Sequence, residues 1–380
     1  MRAPPRPRVA FVGLVCVDHI AEVPRCPDED TEIRATSVRR CLGGNAANSA
    51  RVAAALGIDA ALLTTMASAA HPSSSSAFAA AALEECGVEL FCDRIGAAIP
   101  TSFITVAANT ASRTIVSCKS PLYRSVSFAA FESAHDVLLR ARDDSGGART
   151  PPAWLHFEGR DGDDVRRCVE DARCRAATSA ATISLELEKV SAGRASSLVA
   201  LLPLVDVAFV SSAFARHLGY ANAAACVGGL RSALRCPGAV AVCAWGSAGA
   251  ALGAAEGAAG AAGGATTTVH VTVADAVAAG AGASGGGGDA GERAVVDSVG
   301  AGDTFNAAFI AASLHGATRA EALSAAVRVA TLKVRRRGFG GVRREQLAEG
   351  AWARRSGEEA GCCASEALRS PHLSKSEKHL

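Results

Sequence analysis

The chain of 380 residues is 49% hydrophobic and 20% charged, and its 39 Lys and Arg against 37 Asp and Glu leave a formal charge of +2. That length and apolar content suit a large α/β core with room for a lid, and so even a charge balance gives no electrostatic drive toward nucleic acid. Thirteen cysteines, scattered singly except for Cys362-Cys363 and without a C-x-x-C pair, argue against a zinc site and a closed disulfide framework and for reduced thiols in a cytoplasmic protein.

From the N-terminus, Met1–Arg8 and the apolar run after it imitate a signal peptide, but Asp18 and His19 follow at once and no small-x-small cleavage site does. Val9–Val17 reads instead as a buried strand that delivers Asp18 to its carboxyl edge, where ligands of open α/β sheets gather. Thr31–Cys41 and Pro100–Ser117 alternate polar and apolar residues, as strands of an antiparallel lid do. Between them, Gly43-Gly44 opens a helix that Gly57 closes. Asn45 and Asn48 are three apart and share a face near its start, so their amides either bind hydroxyl groups of a polyol or serve as caps and solvated amides.

Strand-like runs at Ala60–Met66, Trp154–Glu158, Thr182–Glu186, Val205–Ser211 and Ala239–Trp245, each followed by a helical or loop segment, imply a mostly parallel sheet covered on both faces. Glu186 and Glu188 end one of these strands, as metal ligands through water or as surface salt-bridge partners. Residues 253–293, dominated by Ala and Gly, read as a flexible insert around one strand-like piece, Thr266–Val273. One domain is expected over 1–345, with its lid from about 26–42 and 97–123 and a polar tail over 346–380. No run has the strong continuous hydrophobicity of a membrane span.

The most informative stretch is Val296–Ala307. Gly300 and Gly302 let backbone approach an anion, and the helix opening at Asp303-Thr304-Phe305 aims free N–H groups and a positive dipole end at it. Asp303 at that mouth can take a proton from a hydroxyl attacking a phosphorus, although an Asp after a Gly turn also serves simply as an N-cap. No G-x-G-x-x-G follows the first strand, which excludes the dinucleotide-binding reading.

In order, the chain carries G-L-V-x-V-D, D-x-E-I-R, G-G-N-A-x-N-S, S-R-T-I, H-x-E-G-R, V-C-A-W and V-G-A-G-D-T-F-N-A. This series resembles the ribokinase-type (PfkB) sugar kinases, and most of all their ketohexokinase branch, from about Val9 to Val342 with the insert left out. The resemblance implies a ribokinase-like α/β fold with a small β-sheet lid, and transfer of a phosphoryl group from ATP with Mg²⁺ to the 1-hydroxyl of a ketohexose such as D-fructose. It makes Asp303 the catalytic base, the amides of Gly300, Ala301 and Gly302 the anion hole, and Asp18, Gly44, Asn45 and Asn48 the sugar site. It places Arg113 near the phosphate path, delivers Asp30 into a partner's site across a lid-clasped homodimer, and matches Asp297 and Ser298 to a K⁺-binding loop. Gly246 and Gly249 fall on the loop facing the nucleotide, where Ser247 stands in place of the branch's acidic residue. The general family's N-x-x-E element is here Ser211-Ser212-Ala213-Phe214, a departure the branch shares. That missing acid and the insert beside the site suit a second reading, a non-catalytic sugar- or nucleotide-binding member. A third keeps the reaction and changes the acceptor to another sugar or a nucleoside.

Overall fold

A computed structural model describes residues 6–110, 112–139, 150–160, 163–188, 194–254, 268–280 and 295–348. The chain begins β1 (Arg8–Val12), β2 (Cys16–Val23), β3 (Ser37–Gly43), α1 (Asn45–Ala55), β4 (Asp59–Ala67), α2 (Ser74–Glu85) and β5 (Glu89–Ile95). It continues through β6 (Thr101–Ala107), β7 (Arg113–Cys118), α3 (Phe128–Leu139), β8 (Trp154–Glu158), α4 (Asp163–Ser179), β9 (Thr182–Leu187), α5 (Arg194–Val199) and β10 (Val207–Ser211). The remainder is α6 (Ser212–His217), α7 (Ala223–Leu230), β11 (Val240–Ala244), β12 (Ala250–Ala254), β13 (Thr268–Val271), α8 (Val273–Gly280), α9 (Ala301–Leu314), α10 (Arg319–Val334) and α11 (Glu345–Ala348).

Nine strands form the main sheet in the order β13-β12-β11-β10-β9-β8-β1-β4-β5. Pairing is parallel from β11 to β5, and β12 and β13 add antiparallel strands at the other edge. Period-two alternation divides the core between the two faces: Val9, Phe11 and Leu62 pack on one side, Ala10, Val12 and Leu63 on the other. Helix α1 packs on α9, which packs on α10, so the two helices that open at glycine turns lie together. A second sheet of four strands, β3-β2-β6-β7, stands apart from the first.

The run Val9–Val17 does not make one strand. β1 ends at Val12, and β2 starts at Cys16 in the small sheet. The break sits where the Leu14 N–H donates to Glu158 Oε2 at 2.7 Å. A Cβ on Gly13 would lie 2.5 Å from that same oxygen. A carboxylate therefore replaces the ladder partner, the chain turns out of the main sheet, and Asp18 arrives on a strand of the lid. Sequence reading also passed over β5 and β12. The strand expected within the Ala/Gly segment is β13, while residues 255–267 and 281–294 around it lie outside the described residues. Helix α11 is bound to the domain by the buried Leu347 and by Arg328 Nη2, which donates to the Gln346 carbonyl at 2.9 Å; positions 349–380 of the expected tail lie outside the described residues.

A file of rings crosses the core. His156 stands edge-on to both Phe11 and Phe209, and Phe209 edge-on to Phe309. Burial pushes the His156 imidazole down to about 3, so it is neutral and shares a 2.8 Å hydrogen bond with Ser184 Oγ. Phe11 is fully buried on β1, an interior strand of the sheet, and Phe11→Ala is expected to cost about 3–5 kcal/mol, read as a lower urea midpoint with an unchanged m-value.

Candidate active site

Two helix starts face one cavity of about 310 Å³, and both are glycine turns that no other residue would fit. Gly44 enters α1 at φ 97, where a Cβ would lie 2.3 Å from the Leu14 carbonyl oxygen. Gly300 enters α9 at φ 75, where a Cβ would lie 2.2 Å from the Phe339 ring. The first i→i−4 bond of α9 runs from the Thr304 N–H to the Gly300 carbonyl at 2.9 Å, which leaves the amides of Gly302 and Asp303 ahead of the helical ladder. A Cβ on Gly302 would meet nothing within 4 Å, so the space above this N-terminus is open. Ala301 lines the cavity with both glycines.

The lid closes the opposite side by simple alternation. Asp18 on β2 pairs with Ser102 on β6, which pairs with Ser117 on β7, and this row lines the cavity. Ile104 and Ile115 form the next row, and Arg113 lies beyond them, paired with Val106. Arg113 Nη1 donates to Ser298 Oγ at 3.0 Å, which ties the lid to the loop before Gly300. Asp18 is buried, and burial raises its carboxyl pKa above the ordinary value against the opposing hydrogen bonds of Cys16 and Ser102.

Asp303 is buried at the start of α9, and its Oδ2 accepts a 2.6 Å hydrogen bond from Asn48 Nδ2. Asn48 Oδ1 in turn accepts from Arg51 Nη2 at 2.7 Å, which fixes the amide with its nitrogen toward the carboxylate. The Arg51 guanidinium lies 4.1 Å over the Phe339 ring, the ring that packs on Gly300. Asn45 Nδ2 donates to Glu186 and Glu188 at 3.0 and 2.7 Å, and Asn306 Nδ2 donates to Glu186 at 2.8 Å. Glu186 is thus not a surface residue. Its burial, followed by the charges of Glu188, Asp303 and Glu158, raises its pKa well above the usual carboxylate range.

The structure joins Asp18, Gly44, Asn45, Asn48, Arg113, Ser298 and Gly300–Asp303 in one site. Asp297 lies just outside it, with Ser298, against a second hollow under the lid. Gly246 and Gly249, at φ 60 and 88, form a tight turn between β11 and β12; neither lines the cavity, though Ala244 just before them does. Asp30 sits on an exposed turn at φ 62, away from this chain's own cavity. Arg335–Arg337 end α10, and Arg337 bonds Glu22 of the lid at 2.8 Å. Among the described residues no His, Cys, Asp or Glu cluster is arranged as a metal site.

Asp297 does not present an open cation loop. Lys333 Nζ donates to the Asp297 carbonyl at 2.9 Å and to the Val299 carbonyl, and lies 3.5 Å from Asp297 Oδ2. Asp297 also accepts from the Val299 and Gly338 N–H groups at 3.0 and 2.9 Å. Burial works against its charge, but these donors and Lys333 outweigh it and hold the carboxyl below its ordinary value. Sequence reading missed Arg51, Lys333 and Phe339, whose roles come from contacts between distant segments.

Residues 6–134 and 288–344 match the model of the pfkB family of carbohydrate kinases. The ketohexokinase of Mus musculus is 31% identical over 341 residues, covering 88% of this chain and 98% of that protein. The chain belongs to the pfkB carbohydrate kinase family. Solved relatives share the fold at lower identity. A putative ribokinase from Agrobacterium tumefaciens has a TM-score of 0.67 at 17% identity, covering 93% of this chain and 99% of that one. The ribokinase of Arabidopsis thaliana, solved with ribose and ATP, has a TM-score of 0.64 at 16% identity, covering 90% and 98%. The expected ribokinase-like fold is therefore present, and this pfkB kinase is a phosphotransferase to a hydroxyl acceptor.

Asp18 gives the site a testable cost. A carboxyl whose folded pKa is raised contributes its full stability below the unfolded value of 3.8 and loses it as pH rises through the folded value. Asp18→Asn is therefore expected to unfold at higher urea than the parent at neutral pH, with the gap closing toward acid. An equal or lower midpoint at neutral pH contradicts the assignment.

Proposed function

We propose that this pfkB kinase transfers the γ-phosphoryl group of magnesium-ATP to the 1-hydroxyl of fructose. The observation that carries the reading is the buried Asp303 carboxylate, held by Asn48 at the open N-terminus of α9 and facing the same cavity as Asp18. The similarity to a ketohexokinase over nearly the whole chain favours a ketose acceptor. In this scheme Asp18, Asn45 and Asn48 hold the sugar hydroxyls against the Gly44 turn, and Asp303 takes the proton of the attacking hydroxyl. The amides of Gly302 and Asp303 at the start of α9 receive the charge that spreads over the transferring phosphoryl group, the expected Ala301 N–H being engaged by the Ser298 carbonyl at 3.3 Å, and Arg113 approaches it from the lid. The nucleotide enters over the turn that holds Gly246 and Gly249, with the metal as part of the substrate. Closure of the lid over the sugar keeps water from the γ-phosphorus. The reduced thiols suit a cytoplasmic enzyme; among the described residues all cysteines are free, and no helix is long and apolar enough to cross a membrane.

Asp303→Asn is expected to lower turnover by roughly 10²–10⁴-fold, the usual share of a general base, with sugar binding largely kept. A coupled ADP-release assay on fructose, ribose and adenosine checks both claims: a variant that turns over normally removes Asp303 as base, and faster turnover on ribose or adenosine changes the acceptor. Sugar binding without turnover on any acceptor favours the non-catalytic reading.

We also infer a homodimer through the lid. The outer face of the small sheet exposes Val38 (71%), Phe103 (54%) and Val116 (64%), with Phe103 and Val116 directly paired. Three such side chains on one open sheet face mark an interaction surface. The exposed turn at Asp30 then reaches toward the partner's cavity. Phe103→Glu should shift the sedimenting species from dimer to monomer; a parent chain that sediments as a monomer overturns the inference.

A further inference from the structure

The resemblance assigns a monovalent ion to the loop at Asp297 and Ser298, yet the oxygens that would hold it are engaged. Lys333 is fully buried at its side chain. Its ammonium donates to the carbonyl oxygens of Asp297 and Val299, faces Asp297 Oδ2 at 3.5 Å, and lies 5.1 Å from the centre of the Phe339 ring. Two carbonyls, a carboxylate and an aromatic face are the partners a small monocation takes. The same loop is pinned from α10 by the Val334 carbonyl, which accepts from the Val296 and Asp297 N–H groups at 2.8 and 3.0 Å. Lys333 precedes Val334, so one helix end supplies both the backbone anchor and the charge.

We propose that the Lys333 ammonium is the resident cation of this loop, a tethered substitute for potassium that fixes the turn into Gly300, so that catalysis here needs no free monovalent ion. An ammonium group and a potassium ion carry the same charge and take similar oxygen shells, but the lysine arrives with the fold. It cannot be diluted away, and it holds residues 297–299 in place before any nucleotide binds. The oxygen set around Asp297 therefore does not fit a free ion while Lys333 is present. Lys333 acts here as a positioning residue: it touches the loop that presents the α9 amides, not the reacting atoms.

The test starts from the unmodified protein, freed of potassium and sodium, and compares potassium chloride with choline chloride at matched ionic strength. Expected are one melting temperature in both salts and, with an active acceptor, one ADP-release rate. A rise in melting temperature that saturates with potassium and is absent with choline overturns the proposal. Lys333→Met opens the oxygen cage: it should melt lower in choline and recover by about 2–4 °C or more in potassium, the size of shift that binding a ligand to the folded state gives. A Lys333→Met protein that melts and turns over like the parent in choline also overturns it, and if the variant does not fold the salt response of the parent chain decides alone. The proposal rests on the kinase reading only for its catalytic consequence; the melting comparison needs no substrate, so a wrong acceptor and a wrong cation assignment give different results.

Discussion

The hydrogen bond between Asn48 and Asp303 is the contact on which the site depends, because it joins the first turns of two helices that come from opposite ends of the sequence. Each helix begins at a glycine of positive φ, and each lacks a side-chain cap. An open N-terminus normally binds water or a capping oxygen. Here two such termini face one cavity, and the carboxylate between them is oriented by an amide whose own direction is set by Arg51. A buried carboxylate costs stability unless its hydrogen-bond partners are in place. One such partner, Asn48, is drawn from α1, and α1 can reach only if it packs on α9.

Phe339 holds this arrangement from behind. Its ring fills the volume that a Cβ at Gly300 would need, and it carries the Arg51 guanidinium and the Lys333 ammonium within 4.1 and 5.1 Å of its centre. Two cations on one aromatic ring repel each other, and that repulsion is offset because each faces an anionic or carbonyl group on its far side: Asn48 and Leu42 for Arg51, Asp297 and Val299 for Lys333. The ring also limits how far the Gly300 turn can move. The geometry of the Gly300 turn is thus set by residues that do not line the cavity.

Much of this was legible in the sequence where the information is local. Strands Trp154–Glu158 and Thr182–Leu187 follow from short apolar runs, and the two glycine turns follow from Gly-Gly-Asn and Gly-Ala-Gly-Asp. Alternation in Pro100–Ser117 indicated a lid, and pairing of β6 with β7 turned it into rows of inward and outward residues. The Val9–Val17 run misled because a carboxylate 144 positions away takes the Leu14 N–H and ends the strand early. The sequence leaves Glu186 open as a metal ligand through water or a surface salt-bridge partner; its environment is made by Asn45 and Asn306, which meet it only in the folded chain. Lys333 carries no local signal at all, since a lysine in the last turn of a helix ordinarily serves the helix dipole in water.

The charge around the cavity bears on what it can accept. Among the described residues, Asp18, Glu186, Glu188 and Asp303 line it with Arg113 and Arg160 as the cationic side chains, and Arg160 is already committed to Glu158. Burial first, and then the charges of Glu188, Asp303 and Glu158, push the Glu186 carboxyl well above its ordinary range, so a further negative charge is disfavoured here. Bare nucleotide phosphates entering such a site would meet repulsion from the same carboxylates. In the proposed reaction a nucleotide that brings its magnesium along would lower its own charge and make the carboxylates of Glu186 and Glu188 favourable partners. On that proposal the α9 amides would act on a phosphoryl group whose charge is partly balanced before the lid closes, and Asp303 would be the group that takes the proton of the attacking hydroxyl.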